Sequence, residues 1–149
     1  MYDVFQTDRL IDLWLSEDIG SCDLTAQLMI DEDAVGTFHM NAREPMYIAG
    51  IDVAARIFTR YDAALTVTKL AKDGDKVEKG TRILTVSGPA RSIVTAERPA
   101  LNILQRLCGI ATETARYNAE IAGTGARLID TRKTTPGLRM LEKHAVACG

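Results

Sequence analysis

At Gly88-Pro89 the hydrophobic period of the chain changes, and the change fixes the order in which elements can be laid down. Upstream, short runs alternate roughly every second residue. Val35 to Ala42 reads as a strand, and Met46 to Ala49, after Pro45 and before Gly50, as a second extended piece. Ala64 to Ala71 and Arg82 to Ser87 read as two more, flanking a turn-rich stretch, Asp73 to Gly80, with two glycines and many charges. Two helical stripes accompany them, one ahead of the first strand and one after the second. Leu10, Ile11, Leu13, Trp14 and Leu15 follow Thr7 as an N-cap and stop near Asp18-Ile19-Gly20; Ile51, Ala54, Ala55, Ile57 and Phe58 end before Asp62. The first part is therefore expected to be an α+β domain, an open sheet with helices, over residues 1–109.

Downstream the period is helical. Thr95 is expected to cap a helix with Glu97 at the positive end of its dipole and Pro99 in its first turns, where a missing N–H is tolerated. Leu101, Leu104, Leu107 and Cys108 form its buried stripe, with Gly109 as an interruption before a second helix over about 111–122. After Gly123-Thr124-Gly125, a short strand, Arg127 to Asp130, leads into the polar loop Thr131 to Gly137 and a helix from Leu138 to Ala147. Strand, loop and helix make one βα unit. In α/β folds the loop after the carboxyl end of a parallel strand is where ligands bind, so a dense Arg-Lys-Thr loop there is informative.

Charge sharpens that reading. Residues 1–89 carry 9 Lys/Arg against 15 Asp/Glu, whereas residues 90–149 carry 9 against 5, most of the nine being arginines. The basic part calls for an anionic ligand. No Lys/Arg run exceeds two residues and Tyr117 is the sole aromatic there, which disfavours nucleic acid. Separate arginines suit small anions, because a planar guanidinium grips a carboxylate or phosphate through two parallel hydrogen bonds. With 149 residues, 46% hydrophobic and 26% charged, the chain has the composition of a globular protein and room for one domain plus a piece of another. No apolar run approaches the roughly 20 residues of a membrane span, and the start lacks a signal-peptide pattern. The expected location is the cytoplasm. Cys22, Cys108 and Cys148 form no CxxC pair and are expected to be reduced, Cys108 in the core.

Four stretches carry a resemblance: Glu17-Asp18-Ile19-Gly20-Ser21-Cys22-Asp23-Leu24-Thr25, Ala49-Gly50-Ile51-Asp52-Val53-Ala54, Thr95-Ala96-Glu97-Arg98-Pro99-Ala100-Leu101-Asn102 and Asp130-Thr131-Arg132-Lys133-Thr134-Thr135-Pro136-Gly137. In this order and spacing they resemble quinolinate phosphoribosyltransferase, also called nicotinate-nucleotide pyrophosphorylase (carboxylating). The related molybdenum-transport ModD proteins are the neighbouring alternative; Leu104 to Thr112 and the full Asp130 to Gly137 motif lean to the quinolinate enzyme. The resemblance implies that residues 110–149 begin an α/β barrel, left incomplete here. It implies the conversion of quinolinate and phosphoribosyl pyrophosphate to nicotinate mononucleotide, pyrophosphate and carbon dioxide in NAD synthesis, with Mg2+ on the pyrophosphate. Thr131, Arg132 and Lys133 would bind substrate, the two cations facing the quinolinate carboxylates. Arg98 would reach into the neighbouring subunit's site, making a homodimer the functional unit, with hexamers as a further assembly. Enzymes of the family are nearly twice this length and continue with a Gly-rich Asn-His-Arg segment, a further lysine and the acidic residues that serve Mg2+ and ribose. The chain is therefore expected to be a piece of a longer protein, with little or no transferase activity alone.

Other residues read more plainly. Arg139 and Lys143, one turn apart, are expected to face water, and Arg106 and Arg116 to be structural. His144 and His39 lack an orienting carboxylate at recognisable spacing and are not read as acid–base groups; no catalytic residue is assigned. Asp130 is expected to organise the adjacent cations, and Asp31-Glu32-Asp33 to be a solvated turn. Two readings from other classes are a non-catalytic dimerisation module and a biotinyl or lipoyl carrier. The carrier likeness lies in Gly74 to Leu84, which lacks a lysine at a hairpin tip between matching strands.

Overall fold

A computed structural model describes residues 3–149. Helix α1 (Val4–Ile19) is capped by Asp3, whose carboxylate accepts from the N–H groups of Phe5 (2.8 Å) and Gln6 (3.3 Å). Thr7, the expected cap, lies inside the first turns instead, buried, with its hydroxyl donating to the Asp3 carbonyl. A carboxylate can take two of the helix's orphan N–H groups at once, and that wins the position for Asp3. The helix ends where expected, at Gly20 with φ +58°. A six-residue helix α2 (Leu24–Met29) follows, too short to show a period; Asp23 caps it by accepting from Ala26 N–H at 3.1 Å.

The sheet is antiparallel in the order β1 (Val35–Asn41), β5 (Arg82–Pro89), β3 (Thr66–Lys69). Val35 stands opposite Pro89, Phe38 opposite Val86, and Thr66 opposite Ser87. As the middle strand, β5 buries Ile83, Leu84 and Val86. A second, two-stranded ladder pairs β2 (Met46–Tyr47) with β4 (Lys76–Val77), so the stretch read as a turn-rich connection contains a strand. Because β4 pairs with β2 and not with β5, the exposed turn bearing Lys79 is not a carrier-type hairpin tip.

Helix α3 (Ile51–Tyr61) packs on the sheet, with Phe58 0% exposed and tilted against Phe38 at a ring separation of 6.2 Å. It begins at Gly50, where φ is +84° and a Cβ would come within 2.4 Å of Leu107 Cδ1. That close approach seats α3 on α4.

Helix α4 (Ala90–Glu120) departs most from expectation: strand β5 passes straight into it, and it runs for 31 residues, about 46 Å at 1.5 Å per residue. Thr95 is not a cap but a buried mid-helix residue, Pro99 lies inside the helix, and Gly109 does not interrupt it. The cause is an unbroken buried stripe, Ile93, Ala96, Ala100, Leu104, Leu107, Cys108 and Ala111. Burying those side chains outweighs the roughly 3 kcal/mol that proline and 1 kcal/mol that glycine cost a helix interior. Ala90 N–H, an orphan of the first turn, donates to the Ala34 carbonyl at 2.8 Å. One helix thus joins the expected parts 1–109 and 110–149.

Residues 126–130 are exposed and belong to no ladder, so the strand expected at Arg127–Asp130 does not form on this chain. A strand needs a neighbour to accept its N–H bonds, and none of the described strands lies beside it. The loop and helix that should follow are present: α5 (Arg139–Cys148) returns to α4 and buries Leu141 and Ala145 completely. The architecture is an α+β domain followed by the loop and helix with which an α/β barrel begins. No helix of the described residues is long and apolar enough to cross a membrane.

Candidate functional site

The loop from Thr131 to Gly137 is held from below by an ion pair that crosses from α4 to α5. Glu142 is 8% exposed. Its Oε1 accepts from Arg106 Nε (2.9 Å) and Nη2 (2.6 Å), and its Oε2 accepts from Thr135 N–H (3.2 Å). Arg106 also donates to the Thr135 hydroxyl. Burial pushes the Glu142 carboxyl up, but the bonds from Arg106 and Thr135 more than offset it and hold it below the usual carboxylate range. From α5, Arg139 Nε donates to Thr134 Oγ1 (3.1 Å) and its Nη2 to the Arg132 carbonyl (3.3 Å). Lys143 pairs with Asp130 at 2.5 Å. Arg139 and Lys143 are open to water, as the sequence led us to expect, but both also tie down the loop. Asp130 organises a cation, but Lys143 rather than the Arg132-Lys133 pair.

On this brace the expected binding residues Thr131, Arg132 and Lys133 are presented outward, all exposed. Thr131 Oγ1 accepts from Lys133 N–H at 3.1 Å, a local turn that contains Arg132. Neither Arg132 nor Lys133 is paired with a carboxylate among the described residues. A hollow of about 520 Å3 beside the loop is lined by Thr134, Thr135, Pro136, Gly137 and Arg139 rather than by the cations themselves.

Arg98, the fourth expected residue, lies apart on the exposed side of α4, 59% exposed. Its Nε is 3.5 Å from Asp18 Oδ2 and its Nη2 is 3.7 Å from Asp23 Oδ2. The Asp23 side chain is 6% exposed, and its Oδ2 has no hydrogen-bond partner. The Glu17 to Thr25 stretch thus has a physical role: its two aspartates flank the guanidinium and one of them caps α2. A groove of about 730 Å3 between β1 and α4, lined by Phe38, Met40, Leu101 and Leu104 with Arg43 and Arg116, contains none of the four residues.

Tertiary contact supplies what the sequence withheld from His144. Its Nε2 is 2.6 Å from Asp73 Oδ2, a carboxylate 71 residues away. Asp73 Oδ1 accepts from Ile51 N–H at 3.0 Å, and Cys148 Sγ lies 3.6 Å from His144 Nε2. Burial, then the Asp73 charge, pushes the Cys148 thiol up, the opposite of what a nucleophile needs. His39, by contrast, meets only Thr85 Oγ1, at 3.2 Å, across the exposed face of the sheet.

Chemically, a braced Thr-Arg-Lys loop on an α+β scaffold suits a protein that handles compact, multiply charged anions. The description "Quinolinate phosphoribosyl transferase, N-terminal domain" fits residues 23–108, and "Quinolinate phosphoribosyl transferase, C-terminal domain" fits residues 110–149. The chain belongs to the quinolinate phosphoribosyl transferase family. A probable nicotinate-nucleotide pyrophosphorylase [carboxylating] of Synechocystis is 42% identical over 147 residues, covering 95% of this chain and 48% of that protein. The corresponding protein of Bacillus subtilis is 38% identical over 144 residues, covering 97% and 50%. The solved nicotinate-nucleotide pyrophosphorylase of Francisella tularensis superposes with a TM-score of 0.94 at 40% identity, over all of this chain and 53% of that one. The chain spans about half the length of the curated relatives it matches.

Proposed function

We propose that this chain provides the quinolinate-binding loop and the N-terminal domain of a nicotinate-nucleotide diphosphorylase (carboxylating), acting in NAD synthesis in the cytoplasm. The observation that carries the reading is the adjacent pair Arg132-Lys133, exposed and without a carboxylate partner among the described residues, on a loop braced by Arg106, Glu142, Arg139 and Lys143. Two exposed cations with no carboxylate partner are available to an anion, and a dicarboxylate offers one carboxylate to each.

In the reaction so proposed, the pyridine nitrogen of quinolinate attacks the anomeric carbon of phosphoribosyl pyrophosphate and pyrophosphate leaves. The ring nitrogen becomes positive, the electron pair of the C2–carboxylate bond stays on C2 as carbon dioxide departs, stabilised by that charge, and C2 then takes a proton from water. Arg132 and Lys133 hold the carboxylates and so orient the nitrogen, with Thr131 fixing the turn between them. Arg98, exposed and only loosely held by Asp18 and Asp23, is the side chain that would enter a partner copy's site in a homodimer, which could assemble further into hexamers. The family's Mg2+ does not fit the carboxylates at this loop. Asp130 is paired with Lys143, and both oxygens of Glu142 are engaged, so no oxygen cluster is offered to a hard cation among the described residues and no step is assigned to it.

The test is a calorimetric titration of the purified chain with quinolinate and, separately, with the monocarboxylate nicotinate. Quinolinate should bind more tightly, and Arg132→Ala or Lys133→Ala should each weaken it about tenfold, the equivalent of one charge-assisted hydrogen bond at an exposed position. Arg116→Ala, which breaks only an exposed pair with Glu113, should change nothing. Equal binding of the two acids, or an Arg132→Ala chain with unaltered affinity, overturns the assignment. The chain alone is expected not to form nicotinate mononucleotide, since its cations stand open to water; detectable product refutes that part.

A further inference from the structure

We propose that Asp73, His144 and Cys148 form a binding site for a borderline divalent transition metal, with Zn2+ as the best match. The three donors come from two places that nothing local links: Asp73 from the loop between β3 and β4, and His144 and Cys148 from successive turns of one face of α5. Oδ2, Nε2 and Sγ lie within 4.8 Å of one another.

Two of the three donor separations can be compared with those of a tetrahedral zinc centre. Bonds of about 2.0 Å to imidazole and 2.3 Å to thiolate at a tetrahedral angle place N and S about 3.5 Å apart. The observed separation is 3.6 Å. For the carboxylate, the same construction asks for an O–N distance of about 3.3 Å. Asp73 Oδ2 and His144 Nε2 are 2.6 Å apart, the spacing of a hydrogen bond with a proton between them. A metal would take that proton's place, the proton passing to His144 Nδ1 or to solvent, and the carboxylate would swing back by about 0.7 Å to accommodate it. Its far oxygen is anchored by Ile51 N–H at 3.0 Å, which leaves Oδ2 as the atom that moves. The Cys148 proton passes to solvent as the thiolate forms.

The donor chemistry selects the ion. Thiolate and imidazole favour Zn2+ or Co2+ over Mg2+, which asks for six oxygens. Asp73 and His144 also line a cleft of about 480 Å3 with Val4, Thr7, Asp52 and Arg56, through which an ion can enter and a water can join as further ligand. The bland reading is a carboxylate–imidazole hydrogen bond with a thiol packed beside it. That reading predicts no metal affinity, and the two are separable by experiment. The site's consequence would be mechanical. It would pin the C-terminal end of α5 to the β3–β4 loop, while Glu142 and Arg139 pin the other end to the cation loop, fixing the helix at both ends.

The reduced full chain is titrated with Co2+, a spectroscopic substitute for Zn2+. Expected are one equivalent bound, a thiolate-to-cobalt charge-transfer band, and the intense visible absorption of tetrahedral cobalt. One equivalent of Zn2+ should bleach both; a thousandfold excess of Mg2+ should not. Cys148→Ser should remove the charge-transfer band, and His144→Gln should weaken cobalt binding at least tenfold, whereas Cys22→Ser should leave both unchanged. Zn2+ should raise the melting temperature of the parent chain and not that of Cys148→Ser. Absence of a cobalt spectrum in the folded parent chain overturns the proposal. So does a charge-transfer band that survives Cys148→Ser or disappears in Cys22→Ser.

Discussion

Replacing Glu142 by glutamine keeps the shape of the brace beneath the cation loop and removes its charge. The native carboxylate accepts two bonds from Arg106 and one from Thr135 N–H while 8% exposed. An amide oxygen still accepts from the charged Arg106, but the bond no longer has an ionised acceptor, a loss of about 1 kcal/mol. The amide NH2 then faces Thr135 N–H, donor against donor, and that part-buried group loses its acceptor, at about 1 kcal/mol more. Arg106 is 44% exposed and can rehydrate, so no further penalty is added for it. The expected cost is about 2 kcal/mol at neutral pH. Because the folded carboxyl sits below its ordinary value of 4.5, its contribution is present above that pH and is lost as pH falls through the folded value. Urea unfolding of parent and Glu142→Gln chains, stepped downward from pH 7, should therefore show a gap that narrows in acid towards the roughly 1 kcal/mol left by the Thr135 N–H mismatch. Trypsin should also cut after Arg132 or Lys133 faster in the variant at neutral pH, since the loop loses its tether. A gap that is absent at pH 7, or one that persists unchanged into acid, would refute the account of the brace.

Two other perturbations probe the core. Gly50→Ala combines a left-handed backbone with a Cβ 2.4 Å from Leu107 Cδ1, so it should destabilise the chain by about 2–3 kcal/mol in the same urea assay; Gly50→Ala combined with Leu107→Ala should cost less than the sum of the two single changes, because the second makes room for the first. The Cys108 thiol, 1% exposed and pushed up to about 11 chiefly by burial, should resist iodoacetamide at pH 8 in the folded chain while half-buried Cys22 reacts, as peptide mass spectrometry will show; rapid native labelling of Cys108 would mean the α4 core opens readily.

The cationic loop itself was readable in one dimension. Thr131, Arg132 and Lys133 are contiguous, and a polar Pro-Gly-terminated loop before an amphipathic helix is a local pattern. What holds the loop was not readable. Arg106 and Glu142 stand 36 residues apart and meet only because α5 folds back on α4. Arg139 and Lys143 follow the helical spacing of any solvated face, and the loop atoms they grip are invisible to a periodicity argument. Asp73 and His144 are the extreme case: the imidazole has its carboxylate, but 71 residues upstream.

The same division runs through the fold. Hydrophobic period by itself determined that strands and two helices come first, that helices dominate after Pro89, and that a cationic loop precedes a final helix, because side-chain direction repeats every two residues in a strand and every 3.6 in a helix. Only tertiary structure decided that Pro99 and Gly109 are carried inside a single 31-residue helix, since local propensity costs a few kcal/mol and the buried stripe on the sheet and α3 repays more. It likewise decided that residues 127–130 form no strand here, because a strand is completed by a neighbour's hydrogen bonds and not by its own sequence.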